Sequence, residues 1–250
     1  LLPNQWSIRP AGTQREVGDF PVNIAVHPSE PYAAVLHAGH GPHEIVIIQT
    51  ETRKLISRVT LPQTFYGICF DHAGKHIYAS GGENEVVHGY EFGDGLLSAP
   101  RQIRIVSPEQ GFVVTGVSIS PDDRTLYACG SVGGKLAVIS LEPGGATGAP
   151  RFVELPKDSF PYTALPSPDG DRVFVSLWGG AAVAVIDAGT LKVVDQWPTP
   201  SHPTEMALSP DGRTLYVACA NSNLVAAIDA GPDADRRTRE IISTALFPAA

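Results

Sequence analysis

Apolar residues in this chain fall in short runs separated by Gly, Pro, Asp and Asn. "MALSPDGRTLYVAC" from Met206, "VSISPDDRTLYACG" from Val117 and "GICFDHAGKHIYAS" from Gly67 share one plan: an apolar run, a turn and a second apolar run. A third run follows, "AAVAVIDA" from Ala181 or "LAVISL" from Leu136, and a fourth closes the unit, as in "LKVVDQW", "RKLISRVTL" and "REIISTAL". The turns begin at His27, Asp71, Ser120, Ser167 and Ser209, which are 44, 49, 47 and 42 residues apart. Runs this short, rich in Val, Ile, Tyr and Ala, predict strands, and no window of helical period competes with them. Ser-Pro-Asp-Gly suits the tight turn between two strands, because Pro presets its own φ and Gly accepts a positive one. Four antiparallel strands in a unit of about 45 residues, repeated, predict an all-β chain built as a β-propeller.

Five complete blades are expected, at about 19–62, 63–110, 111–158, 159–200 and 201–246. The fifth unit already has an outer strand, "REIISTAL", yet "WSIRPAGTQREVG" near the N-terminus offers another strand-like run. A strand within 1–18 is therefore expected to complete a last blade that is missing here, and "LFPAA" reads as the opening of a sixth unit. A ring cut at that point leaves sheet edges and an apolar flank exposed. The five blades are thus expected to form part of a larger ring.

Composition narrows the function more than the fold. Hydrophobic residues make up 43% of the 250 and charged residues 18%, which fits a chain with a sizeable core. No apolar run has membrane-spanning length. The net charge of −8 and the scattered basic residues argue against nucleic acid as a partner. Cys69, Cys129 and Cys219 show no metal-binding or haem-attachment spacing and read as small buried hydrophobes. The sequence starts at Leu1, so it does not decide whether an export signal exists.

The repeat, with "LYVACANSN" after "SPDG", resembles the YVTN repeats of YncE-like bacterial β-propellers. It departs from their signature at Tyr216 to Asn221, which keep only the Tyr, the Val and a displaced Asn. A closer resemblance is to the N-terminal propeller of bifunctional proteins that join a YncE-like propeller to an alkaline-phosphatase-family phosphoesterase. "LLPNQWSIRPAGTQ", "LPQTFYGICF", "SHPTEMALSPDGRTLYVACANSN" and "ISTALFPAA" carry it, across essentially the whole chain. The resemblance implies a seven-bladed ring and a periplasmic or extracellular location. It places the metal ions and nucleophile in a C-terminal phosphoesterase domain that is absent from this sequence. No cofactor is then expected in the propeller itself, and no catalytic residue carries over to it.

Aligning the units on their turns assigns candidate residues to one end of the ring. The loops leading into the first strands share that end with the loops between second and third strands. Asn23, Gly67, Gly116, Thr163 and Glu205 come to the channel mouth, with Phe65, Tyr66 and Tyr162 on its rim and His202 beside it. Glu83, Glu85 and Trp178 are further candidates on the same face. For the aromatic side chains, packing between blades competes with ligand contact; for Glu205, a carboxylate beside an apolar channel needs a partner or water. Tyr78, Tyr127, Phe174 and Tyr216 occupy one column and read as blade-to-blade core.

"VLHAGHGPHEIVII" packs His37, His40 and His43 into seven residues. In register, His37 ends the second strand of blade one, and the following loop is extended relative to those of the other four blades. Three imidazoles are weak candidates for zinc, copper or nickel, since no fourth ligand is evident. Loops on a rigid scaffold are common sites of function, so the face remains of interest without a metal.

The leading expectation is a non-catalytic module that binds a ligand or partner, with a phosphoesterase domain in cis or another protein on the lead-in face. The alternatives are a lactonase-like hydrolase carried by the propeller and an exported surface or adhesion propeller with no enzyme attached.

Overall fold

Each predicted unit folds as one four-stranded antiparallel sheet in simple meander order. The computed structural model describes residues 12–142, 145–231 and 238–244. Blade one is β1 (Pro21–Val26), β2 (Tyr32–His37), β3 (Glu44–Gln49) and β4 (Lys54–Thr60); blade two is β5 (Ile68–Phe70), β6 (His76–Ser80), β7 (Val86–Gly93) and β8 (Leu96–Arg104). Blade three is β9 (Val114–Ile119), β10 (Thr125–Gly130), β11 (Lys135–Glu142) and β12 (Gly145–Glu154). Blade four is β13 (Pro161–Pro166), β14 (Arg172–Leu177), β15 (Ala182–Asp187) and β16 (Lys192–Pro198). Blade five is β17 (Pro203–Leu208), β18 (Thr214–Cys219), β19 (Leu224–Asp229) and β20 (Thr238–Ser243).

The first strands are innermost and pack in sequence, β1 on β5, β5 on β9, β9 on β13 and β13 on β17. Packing of that extent is not made between β17 and β1 among the described residues. Side chains alternate across a strand, so each sheet gives one set to the blade before it and the other to the blade after. The apolar core is accordingly divided into clusters between blades one and two, two and three, three and four, and four and five.

Near the axis, hydrogen bonds step from blade to blade. Asn23 Nδ2 donates to the Tyr66 carbonyl (3.0 Å), Gly67 N to Thr115 O (2.8 Å), Thr115 Oγ1 to Pro161 O (3.0 Å) and Thr163 Oγ1 to Thr204 O (2.9 Å). Gly67 and Gly116 permit this approach: a Cβ on Gly67 would lie 2.4 Å from Val117 N, and one on Gly116 2.5 Å from Tyr162 O.

Two columns depart from the repeat. Ile68, Val117, Ala164 and Met206 are buried, but their equivalent in blade one, Ile24, is 54% exposed. Tyr78, Tyr127 and Phe174 are buried between blades, whereas Tyr216 is 39% exposed. The expected stripe of core aromatics therefore holds for three of its four members. Tyr216 lacks a following blade to pack against among the described residues. Full burial of such a side chain is worth about 1.5–3 kcal/mol, of which these two flanks gain only a part.

Of the strand expected within 1–18, residues 1–11 lie outside the described residues, and residues 12–18 form no strand. The latter pass along blade one, where Arg58 Nη2 donates to Val17 O (2.9 Å).

Candidate functional site

The channel mouth is assembled by the first strands at the point where they begin. β1, β13 and β17 each carry a register shift there, next to a left-handed residue: Phe20, Phe160 and His202, at φ 47°, 46° and 59°. A bulge of this kind re-aims the following side chains, here those of the mouth. Tyr66 and Tyr162 occupy the same position of blades two and four. Blade three has Thr115 there, followed by Gly116, and across that small pair the two tyrosine rings meet at 4.9 Å between centroids. Phe65 stands against Tyr162 at 6.4 Å and 75°, forming an open corner.

Glu205 of blade five reaches into this group. Its carboxylate accepts hydrogen bonds from the Tyr66 side chain and the Met206 N–H, and burial holds its pKa above the ordinary carboxylate value despite both. Burial, and then the Glu205 charge, pushes the Tyr162 phenol up to about 12 and raises Tyr66 as well. None of the five ion pairs found among the described residues involves Glu205. The mouth thus combines aromatic faces with a half-buried carboxylate that faces no Lys or Arg.

The three clustered histidines are separated by the fold. His37 is fully buried, and neither ring nitrogen has a hydrogen-bond partner among the described residues, although the backbone of Glu44 and Val35 lies near. Burial lowers its pKa. His43 is held by its own hydrogen bonds: Nδ1 accepts from Thr64 N (2.8 Å), and Nε2 lies 3.2 Å from Gly39 O, to which it donates in the matching tautomer. His40 is exposed. Among the described residues no three His, Cys, Asp or Glu side chains converge as a metal site. The loop at 38–43 is longer than those at 131–134, 178–181 and 220–223, and the blade-two loop, 81–85, is intermediate.

Of the other candidates, Glu83 is exposed and Glu85 buried. The Glu85 carboxylate accepts from Phe112 N and Val113 N, both at 2.8 Å, and so staples blade two to the loop leading into blade three. Trp178 lies 4.1 Å from the His202 ring and 6.3 Å from Phe160, centroid to centroid. Phe160 is an exposed aromatic of this face that sequence reasoning passed over. The recurrence of Phe-Pro at Phe20-Pro21 and Phe160-Pro161, in one register, was the available signal.

Cys129 and Cys219 are buried and Cys69 partly so, and burial raises all three thiols, Cys69 to about 12 and Cys219 to about 11. They serve as packing. Two cavities, of about 710 and 550 Å³, lie at the other end of the ring, between the turns of blades two and three and of blades three and four. They are gaps between neighbouring sheets, and Asp71 and Asp123, which line the first, are already engaged. His72 Nδ1 and N and Ala73 N all bond the Asp123 carboxylate, and His76 bonds Asp71. Asp123 stands where the other Ser-Pro-Asp turns have Gly, and adopts φ 58° to make this inter-blade clamp. The mouth is therefore the better candidate.

Residues 106–221 match the SMP-30/gluconolactonase/LRE-like region family. The match takes in blades three and four and the first two strands of blade five, less than half of the chain. A comparison with curated proteins gave no match. Solved structures fit far more of it. A functionally unknown protein from Desulfotomaculum acetoxidans superposes with a TM-score of 0.79 at 16% identity, over 94% of this chain and 74% of its own. A putative 6-phosphogluconolactonase from Bacteroides uniformis gives 0.78 at 17%, over 92% and 72%. The virginiamycin B lyase of Staphylococcus aureus gives 0.70 at 14%, over 90% and 70%. The fold is a β-propeller. At these identities the likeness is one of fold alone.

Proposed function

We propose that this chain is a ligand-binding propeller module, part of a seven-bladed ring, that serves a metal-dependent phosphoesterase domain in the same polypeptide, in the periplasm or outside the cell. Glu205 carries the ligand-binding part. A carboxylate partly withdrawn from water, bordered by aromatic rings and facing no Lys or Arg, is unfavourable for stability alone. Its place at the mouth of a rigid ring gives that arrangement a use. The larger ring is supported by the exposed flanks: Ile24, Val26 and Tyr216 are the faces that further blades would cover.

The binding site is tested by NMR, adding a panel of small neutral, anionic and cationic molecules to the labelled protein. Saturable shifts at the amides of Tyr66, Tyr162 and Glu205 support the reading; a panel that leaves all three unmoved sinks it. For the phosphoesterase, the gene is read past Ala250 and the full product assayed on phosphodiesters. A product with no such domain and no metal-dependent hydrolysis removes that part.

A second reading, a hydrolase borne by the propeller itself, is favoured by one observation: the family match over 106–221 includes Tyr162 and Glu205. Sugar-lactone turnover by this chain, lost in Glu205→Gln, would establish it.

A further inference from the structure

The mouth is poor in free hydrogen-bonding groups and sets a single carboxylate against aromatic surface. Asn23 and Thr163 donate to carbonyls of the next blade, and Gly67 and Gly116 offer no side chain. The remaining polar groups are the phenols of Tyr66, which donates to Glu205, and Tyr162, with the His202 ring beside the rim. A sugar or other neutral polar ligand would find few converging partners there. A phosphate or carboxylate ligand would meet Glu205 with no cation to offset it. A metal ion needs several oxygen or nitrogen ligands, and no such group exists among the described residues. What remains is one carboxylate beside the 75° corner made by Phe65 and Tyr162, with Tyr66 behind. Aromatic faces attract alkylated ammonium groups through their quadrupole, and a carboxylate withdrawn from bulk water strengthens the attraction.

We propose that the channel mouth binds an alkylated ammonium ion, with Glu205 as counter-ion and Phe65 and Tyr162 as the walls that contact its N-alkyl groups. Alkylation matters because a primary ammonium brings three N–H donors that this mouth cannot satisfy. The inference rests on reading the mouth as a ligand site and adds the class of ligand.

Choline is the probe, and 3,3-dimethylbutan-1-ol its uncharged counterpart of the same shape; both are titrated into the labelled protein and followed by NMR and calorimetry. Choline is expected to shift the amides of Phe65, Tyr162 and Glu205 saturably and to bind about tenfold or more tightly than the alcohol. Glu205→Gln is expected to weaken choline about tenfold, and Phe65→Leu about three- to tenfold. Phe65 is 43% exposed, so Phe65→Leu is expected to lower the melting temperature only slightly, and thermal unfolding of the variant separates lost binding from lost folding. Equal affinity for choline and the alcohol overturns the inference, as does choline affinity unchanged in both variants. If a neutral or anionic molecule shifts the mouth and choline does not, the inference falls and the ligand site stands. If nothing shifts the mouth, both fall.

Discussion

Glu85 gives the sharpest test of how the blades are joined. Its side chain is buried, and its two carboxylate oxygens accept from Phe112 N and Val113 N at 2.8 Å each. Phe112 is itself buried, its ring seated over Gly130, where a Cβ would lie 2.4 Å away. Glu85→Ala leaves both N–H groups without their acceptor. A buried donor deprived of its partner costs about 1–3 kcal/mol, and relief from burying a charge offsets part of the sum. The expected net loss is about 2–4 kcal/mol. Glu85 is left-handed (φ 58°), and Ala pays the same conformational penalty there, so the comparison isolates the carboxylate. Glu85→Gln keeps one acceptor but turns an NH2 group toward the second N–H, and about half the loss is expected to remain. Urea unfolding measures the stability, and amide exchange at Phe112 and Val113 localises the change. If Glu85→Ala unfolds within about 0.5 kcal/mol of wild type, with both amides as protected as before, the staple has no energetic role.

Equivalent positions should give opposite results: Phe174→Ala is expected to cost about 3–5 kcal/mol and Tyr216→Ala less than about 1, measured by denaturant unfolding. Gly116→Ala would place a methyl against the backbone of Tyr162 and Thr163, which no side-chain rotation relieves. A loss of about 1–3 kcal/mol is expected, and an unchanged melting temperature would contradict the tight approach of the blades. The pKa of Glu205 is raised by folding, so its protonated form sets no penalty at low pH, and stability is lost as pH rises from the ordinary carboxylate value through the raised one. Glu205→Gln should therefore melt above wild type at pH 7.5, with the difference shrinking below pH 4.5; a difference that grows on acidification would reverse the argument.

The blades were legible because two local signals agree: short apolar runs and Ser-Pro-Asp turns recur in one register, and each fixes two strands without information from elsewhere in the chain. The mouth followed from the same register, which is why Tyr66, Tyr162 and Glu205 could be named. Their mutual contact could not, because it links blades two, four and five across the small Thr115-Gly116 pair. The separate environments of the histidines were hidden for a related reason. Three in seven residues look like a cluster, but strand geometry buries His37, and the amide that engages His43 belongs to Thr64, in the next blade. Glu85 and Asp123 fasten to backbone N–H groups of neighbouring blades, and a backbone donor leaves no mark in sequence. Only the replacement of Gly by Asp123 in its turn hinted that something was fastened there.

The division of the apolar core into seams between adjacent blades makes its cohesion a nearest-neighbour affair, apart from the contacts of Tyr66, Tyr162 and Glu205 at the mouth. Such a molecule behaves as a zipper rather than a droplet. Blade three, held on both sides, should open last, while blades one and five, each held on one side, fray at far lower free energy. Closure of the ring would then do more than cover Ile24 and Tyr216. It would convert a linear array, which can melt inward from either end, into a loop that must break at two seams before any blade escapes.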